Sequence, residues 1–307
     1  MAAVALLDAL RALTDFTPPR ALPDADFSLL GDVLEAHGLG PLASYQLETT
    51  RLGAGLPEAF RERLLGNYQG VVNDNVLKLV SLRNALREAP ELPVVLLDAA
   101  AYVDWLYPHM AFRPVGEVRI AMRPADREQL VSRVPALHVE RTEHEGRTAV
   151  LADERITIAV QDALWPGGPA EGPLFERGRP HRAFGPGAAR PSAEDALLAT
   201  VAEQAGLGLF APLITFVDVR ELLRLELDVR YLHARAADLR LSRALFGSSQ
   251  LAAHFYPEIA DAAARVRPAL GVAERLAVER VVEAAKDPAQ LRHLRGVDAA
   301  ARLVVAP

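Results

Sequence analysis

Hydrophobic positions recur at helical spacing at both ends of the chain and at strand spacing in the middle. Val4-Ala5-Leu6-Leu7 with Leu10 and Leu13 forms one apolar stripe, which Thr17-Pro18-Pro19-Arg20 and Pro23 interrupt. Asp26 stands in an N-cap position ahead of Leu29, Leu30, Val33 and Leu34, and that helix should stop near Gly38-Leu39-Gly40. Leu56-Pro57 opens a long helical pattern over residues 58 to about 88. It places Phe60, Leu64, Leu65, Tyr68, Val71, Val72, Val76, Leu77 and Val80 at helical intervals.

Near residue 93 the period changes. Pro93-Val94-Val95-Leu96-Leu97 is a short, continuous apolar run, the pattern of a buried strand. Ala99 to Tyr107 returns to helical spacing and ends at Pro108, and Arg113-Pro114-Val115-Gly116 reads as a turn. Val118, Ile120 and Met122 then alternate with Glu117, Arg119 and Ala121, which predicts a strand with one buried face. A short helix over 126–134 follows, then strands over 137–142 and 148–152 joined by a turn at Glu145-Gly146. A half-buried strand over 155–161 carries Ile156, Ile158 and Val160. Residues 165–191 are rich in Gly and Pro and read as a loop or linker.

From Pro191 onward the pattern is helical again. Ser192-Ala193-Glu194-Asp195 opens it as a capping box, with Asp195 in place of the usual Glu. Breaks are expected at Gly206, Pro212, Gly247, Pro257, Pro268 to Gly271 and Asp287-Pro288. The expected fold class is α+β. An N-terminal helical region (residues 1–90) and a C-terminal helical region (191–307) flank a strand-rich core (91–190).

Composition adds limits. At 307 residues the chain is long enough for a large core, and half of its residues are hydrophobic. The net charge of −6 argues against a broad nucleic-acid footprint, and Lys78 and Lys286 are the only lysines. With no cysteine, disulfides, thiolate metal sites and cysteine nucleophiles are excluded. Met1 to Leu10 has no basic segment and Asp8 interrupts it, so it is a poor signal peptide. The longest apolar charge-free stretch, Gln204 to Val217, is shorter than the ~18 residues of a spanning helix. The expectation is a cytoplasmic protein with no membrane partner.

Three segments carry a family resemblance: Leu96-Leu97-Asp98-Ala99-Ala100-Ala101, Leu106-Tyr107-Pro108 and Arg113-Pro114-Val115-Gly116. In this frame the chain resembles the uncharacterised bacterial nucleotidyltransferase-like family of the DNA polymerase beta superfamily. That family shows L-L-K-G-A-A, a helix ending in L-Y-P, and R-P-x-G-D-x-D-L-x-V. Glu194-Asp195-Ala196-Leu197-Leu198 and the segment from Phe216 to Leu223 are similar to its helical half. The resemblance implies a nucleotidyltransferase-like mixed sheet between helical regions. It also implies a chemistry in which two divalent metals, held by carboxylates, neutralise a nucleoside triphosphate and activate the attacking hydroxyl.

Carried over residue by residue, that chemistry has few holders here. The D-x-D pair falls on Glu117 and Arg119. Arg119 is a permanent cation that would repel Mg²⁺ where a bridging carboxylate is needed. The third carboxylate position aligns with Ala159 and the family's His position with Gln161. The upstream Lys-Gly becomes Asp98-Ala99, which exchanges a cation for an anion and removes the glycine that lets backbone approach phosphate. Glu117 is the one candidate metal ligand left, and it reads more simply as an ordinary strand residue paired to Arg119 or Arg113, since a single carboxylate holds Mg²⁺ poorly. Asp98 reads as an N-cap and Asp104 as a solvated helix position rather than as replacement ligands.

Other motifs lead nowhere specific. His138 and His144 flank a hairpin without zinc spacing, and Gly206-Leu207-Gly208 is a helix break. Arg220, Arg224, Arg230, Arg235, Arg240 and Arg243 alternate with acids, as on a solvated, ion-paired face. The leading expectation is a catalytically degenerate nucleotidyltransferase-like protein, acting through a protein partner of unknown identity and needing no cofactor. One alternative is an active enzyme with an atypical metal set, using Mg²⁺ and a nucleoside triphosphate. Another is an antitoxin-like partner, since small nucleotidyltransferase folds occur in such pairs.

Overall fold

The computed structural model describes residues 2–15, 21–143, 147–170, 172–286 and 299–307. The expected breaks at Thr17-Pro18-Pro19-Arg20 and Asp287-Pro288, the turn at Glu145-Gly146, His144 and the Val4 side chain lie outside them. The chain is α+β and divides into two compact units. One comprises Met1–Val72, Ala111–Arg113 and Thr200–Pro307; the other comprises Asn73–Met110 and Pro114–Ala199.

The second unit holds the sheet, together with the helices α6 (Pro124–Arg133) and α7 (Gly172–Glu176). Its strands are β1 (Val94–Leu96), β2 (Val118–Ala121), β3 (His138–Glu143), β4 (Thr148–Ala152), β5 (Thr157–Gln161), β6 (Arg179–Pro180) and β7 (Ala188–Arg190). Their order is β3-β4-β5-β2-β1-β7-β6. The sheet is mixed: β1 runs antiparallel to β2 and parallel to β7, and β2 runs parallel to β5. The continuous apolar runs of β1 and β4 are buried throughout because both strands are central. The edge strand β3 is exposed along most of its length, and its His, Glu and Arg side chains blunt an otherwise open edge.

Two expectations fail here. The Gly/Pro-rich stretch is not a linker, because it contains the helix Gly172–Glu176 and both β6 and β7. Glycine serves close approach there: a Cβ on Gly187 would overlap the carbonyl oxygens of Leu92 and Pro90, beside the bond that Val94 N–H donates to the Gly187 carbonyl. The helix expected over 99–107 spans only Asp98–Tyr102 (α5). It ends because Val103 turns extended and Asp104 adopts φ 64°, so Asp104 is an exposed turn residue and not a helical one.

The first unit is helical: α1 (Ala2–Thr14), α2 (Phe27–Ala36), α3 (Gly40–Thr49), α9 (Leu213–Leu223), α10 (Val229–Asp238), α11 (Ser242–Phe255), α12 (Ala260–Val266), α13 (Val272–Ala285) and Ala299–Val305. Asp26 caps α2 as expected, accepting from the Ser28 and Leu29 amides at 3.0 and 3.2 Å. The helix α3 begins at the glycines that were expected only to end α2. Gly247 does not break its helix. It lies inside α11, where a Cβ would come within 2.5 Å of Leu209 Cδ1 and 3.0 Å of Val278 Cγ1, so it permits close helix packing. Every residue of α9 is buried, including Arg220, which therefore does not belong to a solvated face. Its guanidinium donates to Glu221 (2.7 Å) and to the Thr14 carbonyl (2.9 Å), and lies 4.6 Å from the Tyr256 ring centroid.

Two helices belong partly to each unit: α4 (Glu58–Arg87) and α8 (Ala193–Gly206). Ser192 starts α8, accepting from the Asp195 amide at 3.2 Å, while the Asp195 carboxylate reaches back to the Ser192 hydroxyl at 2.8 Å.

Candidate functional site

The approach to β2 is held by two residues of α4 spaced to share a face. Asn75, fully buried, donates from Nδ2 to the Met110 carbonyl (2.7 Å) and accepts at Oδ1 from the Val115 amide (2.9 Å). Lys78 donates to the carbonyls of Val115 and Gly116, both at 2.7 Å, and pairs with Asp74 at 2.6 Å. The irregular segment Pro114-Val115-Gly116 is thereby fixed, and Glu117 follows it immediately before β2. Sequence reasoning passed over Asn75 and Lys78. The available signal was a polar pair, i and i+3, set into an apolar stripe.

On β2, Arg119 dominates. Its Nη1 lies 2.9 Å from Asp98 Oδ2 and its Nε 3.3 Å from Glu117 Oε2. The side chain of Asp98 is 12% exposed, that of Arg119 25% and that of Glu117 38%, so the first pair is the shielded one and Glu117 faces solvent. Asp98 is not the N-cap of α5. Leu97 holds that position, and Asp98 is the first helical residue, at φ 49°, with its carboxylate turned to Arg119. Ala99 is buried within α5.

The neighbouring strand supplies no charge at this level. The Cα partner of Arg119 on β5 is Ala159, and that of Ala121 is Gln161. Paired residues on parallel strands share a face, so the four side chains stand together. Gln161 is buried and donates from Nε2 to the Ala163 carbonyl at 2.8 Å, while its Oε1 has no partner. Among the described residues no group of three or more His, Asp or Glu side chains is placed to hold a metal ion.

Glu117 borders an open cleft of about 480 Å³ shared with Lys78, Asp153, Glu154, Arg155 and Thr157. Asp153 is engaged by its own turn, accepting at Oδ1 from the Arg155 and Ile156 amides, each at 2.7 Å. His138 is exposed on β3. No helix among the described residues is long and apolar enough to cross a membrane.

A family model described as an uncharacterised nucleotidyltransferase matches residues 23–257. The chain belongs to that family. No curated protein and no solved structure matches it. The matched span takes in the whole sheet, Glu117, Arg119, Ala159 and α9. Two motif residues from separate parts of this span meet in the first unit. Arg113 donates from Nε to both oxygens of Asp218 (3.0 and 2.9 Å), and its Nη2 lies 2.9 Å from Oδ2, in a buried pair.

Proposed function

We propose that this nucleotidyltransferase-family chain is a non-catalytic member, in which the position of the metal pair is filled by an internal cation. The observation that carries this reading is Arg119, clasped between Asp98 and Glu117 and facing Ala159. A divalent ion does not fit there. It needs several oxygen ligands, and the carboxylates in reach already neutralise a guanidinium that would repel it. Lys78, one of the two cations that line the cleft among the described residues, is turned to two carbonyls and Asp74.

What remains is a binding or regulatory module with a protein partner. Support for a protein surface comes from α4, whose second half leaves Val76, Leu77 and Val80 exposed in an otherwise polar setting. One observation favours a second reading, a metal-dependent nucleotidyltransferase with an atypical ligand set: Asp153 and Glu154 share the cleft with Glu117. The commitment of Asp153 to its own turn weighs against it.

Calorimetric titration with ATP, GTP, CTP and UTP decides between the two. Each nucleotide is run without metal, with Mg²⁺ and with Mn²⁺, in the wild type and in Glu117→Gln. The expected result is no increment of binding on adding metal in either protein. Metal-dependent binding that Glu117→Gln abolishes would overturn the non-catalytic reading.

A further inference from the structure

On the other face of the sheet, two arginines oppose one another without a counter-ion. Arg179 of β6 and Arg190 of β7 are direct cross-strand partners. Residues paired in this way hold their side chains on one face with Cβ atoms about 5 Å apart, where like charges destabilise the pair. Neither makes an ion pair with a carboxylate among the described residues. The neighbouring Arg177, by contrast, is paired with Glu194 at 3.1 Å. Arg190 is half-buried, and its guanidinium carbon lies 3.7 Å from the centroid of the Trp105 ring. Burial, and after it the charge of Arg179, holds the Arg190 guanidinium below its usual range.

The strand alternation separates this pair from Arg119. Leu96 is the partner of Ile120 and Val95 the partner of Ala189, which puts Arg190 on the face of Leu96 and Ile120 and Arg119 on the opposite one. A buried polar atom accompanies the pair. His181 is buried, its ring donates to the Val103 carbonyl and its Nε2 has no partner. The charges that act on it are those of Asp104 and Arg190. With one ring nitrogen donating and the ring neutral, the other is an acceptor.

We propose that Arg179 and Arg190, with Trp105 as the platform under Arg190, form a binding site for a phosphate-type oxyanion. Two guanidiniums carried on one face by paired strand positions offer planar donor forks of the kind that match phosphate oxygens. An oxyanion between them converts a cross-strand repulsion into two charge-assisted contacts. The unpartnered Nε2 of His181 is an acceptor available to a protonated phosphate oxygen or a ligand hydroxyl. The site does not depend on the metal-free reading of Arg119.

The test is calorimetry in metal-free buffer with inorganic phosphate, adenosine 5′-monophosphate and adenosine, with tryptophan fluorescence as a second readout. Phosphate and the monophosphate should bind and perturb the fluorescence, while adenosine should not bind. Arg179→Gln, at an exposed position, should weaken binding on the order of tenfold or more. Arg190→Lys, which keeps the charge but loses the planar fork, should also weaken it. Glu117→Gln should leave it unchanged, which separates this site from the cleft on the other face. Tighter binding of the monophosphate than of phosphate would identify a nucleotide-like source; equal binding would identify the free anion. Absence of phosphate and monophosphate binding at millimolar concentration overturns the proposal. So does adenosine binding as tightly as its monophosphate, or wild-type affinity in Arg179→Gln.

Discussion

Arg119 Nη1 stands 2.9 Å from Asp98 Oδ2, which joins the strand β2 to the first residue of α5 by a shielded ion pair. On the non-catalytic reading proposed above, this cation takes the place of a metal-binding carboxylate, and its register partner on β5 is Ala159. Replacing both positions with acids should therefore create a metal site. Arg119→Asp combined with Ala159→Asp is expected to bind Mn²⁺ in calorimetry where the wild type does not. Thermal unfolding should then show a Mn²⁺-dependent stabilisation of about 2.7 kcal/mol at a hundredfold excess over Kd. Without metal the double variant should be less stable than the wild type by about 1–3 kcal/mol, from clustered carboxylates that have lost their cation.

The pair Arg113–Asp218 is more deeply buried and better aligned. Asp218→Asn or Arg113→Gln should each lower the unfolding free energy by about 3–5 kcal/mol, because each removes one member of a buried, bidentate ion pair. Arg113→Leu combined with Asp218→Leu should cost less than either. Urea denaturation of the three variants measures the difference.

Asn75→Ala should cost about 1–3 kcal/mol, since it removes the partner of the Val115 amide and the donor to the Met110 carbonyl. The same variant should loosen the segment before Glu117. Amide hydrogen exchange at Val115 is the direct readout, and protection equal to the wild type would show that Asn75 does not hold the segment.

Burial pushes His181 below its ordinary 6.5, and it does the same to His254. For a histidine whose folded value is depressed, the unfolded chain binds the proton more readily. The stability each contributes is full above about pH 6.5, where both states are neutral, and is lost as pH falls from there through the folded value. Unfolding free energy should decline across that window, and His181→Gln should make the decline shallower. A pH series of urea midpoints that is identical for the two proteins would refute the assignment to His181.

Local patterns were legible wherever a short-range rule decides structure. The caps at Asp26 and Ser192, the long helix α4, and the strands β1 and β2 all follow from neighbours in the chain. The tight stretch 165–191 misled because Gly and Pro mark turns equally well in a linker and between short strands. Gly247 misled because its missing Cβ serves a helix contact with Leu209 and Val278, residues distant in sequence. Sequence alone puts Arg220 on a surface, because charge alternation along a helix does not reveal whether a buried acceptor such as the Thr14 carbonyl awaits it.

The candidate site divides along the same line. Residue types at 98, 117, 119 and 159 are a property of the sequence, and the expectation of a degenerate carboxylate pattern comes from them alone. That Arg119 meets Asp98 rather than solvent, that Ala159 is its register partner, and that Arg179 faces Arg190 are consequences of strand pairing. Strand pairing joins residues tens of positions apart, and hydrogen-bond register, not the local periodicity of side chains, sets which ones meet. Short-range rules in the chain set the caps, α4 and the strands β1 and β2; the sheet decided which charges neutralise one another and which are left facing a like charge.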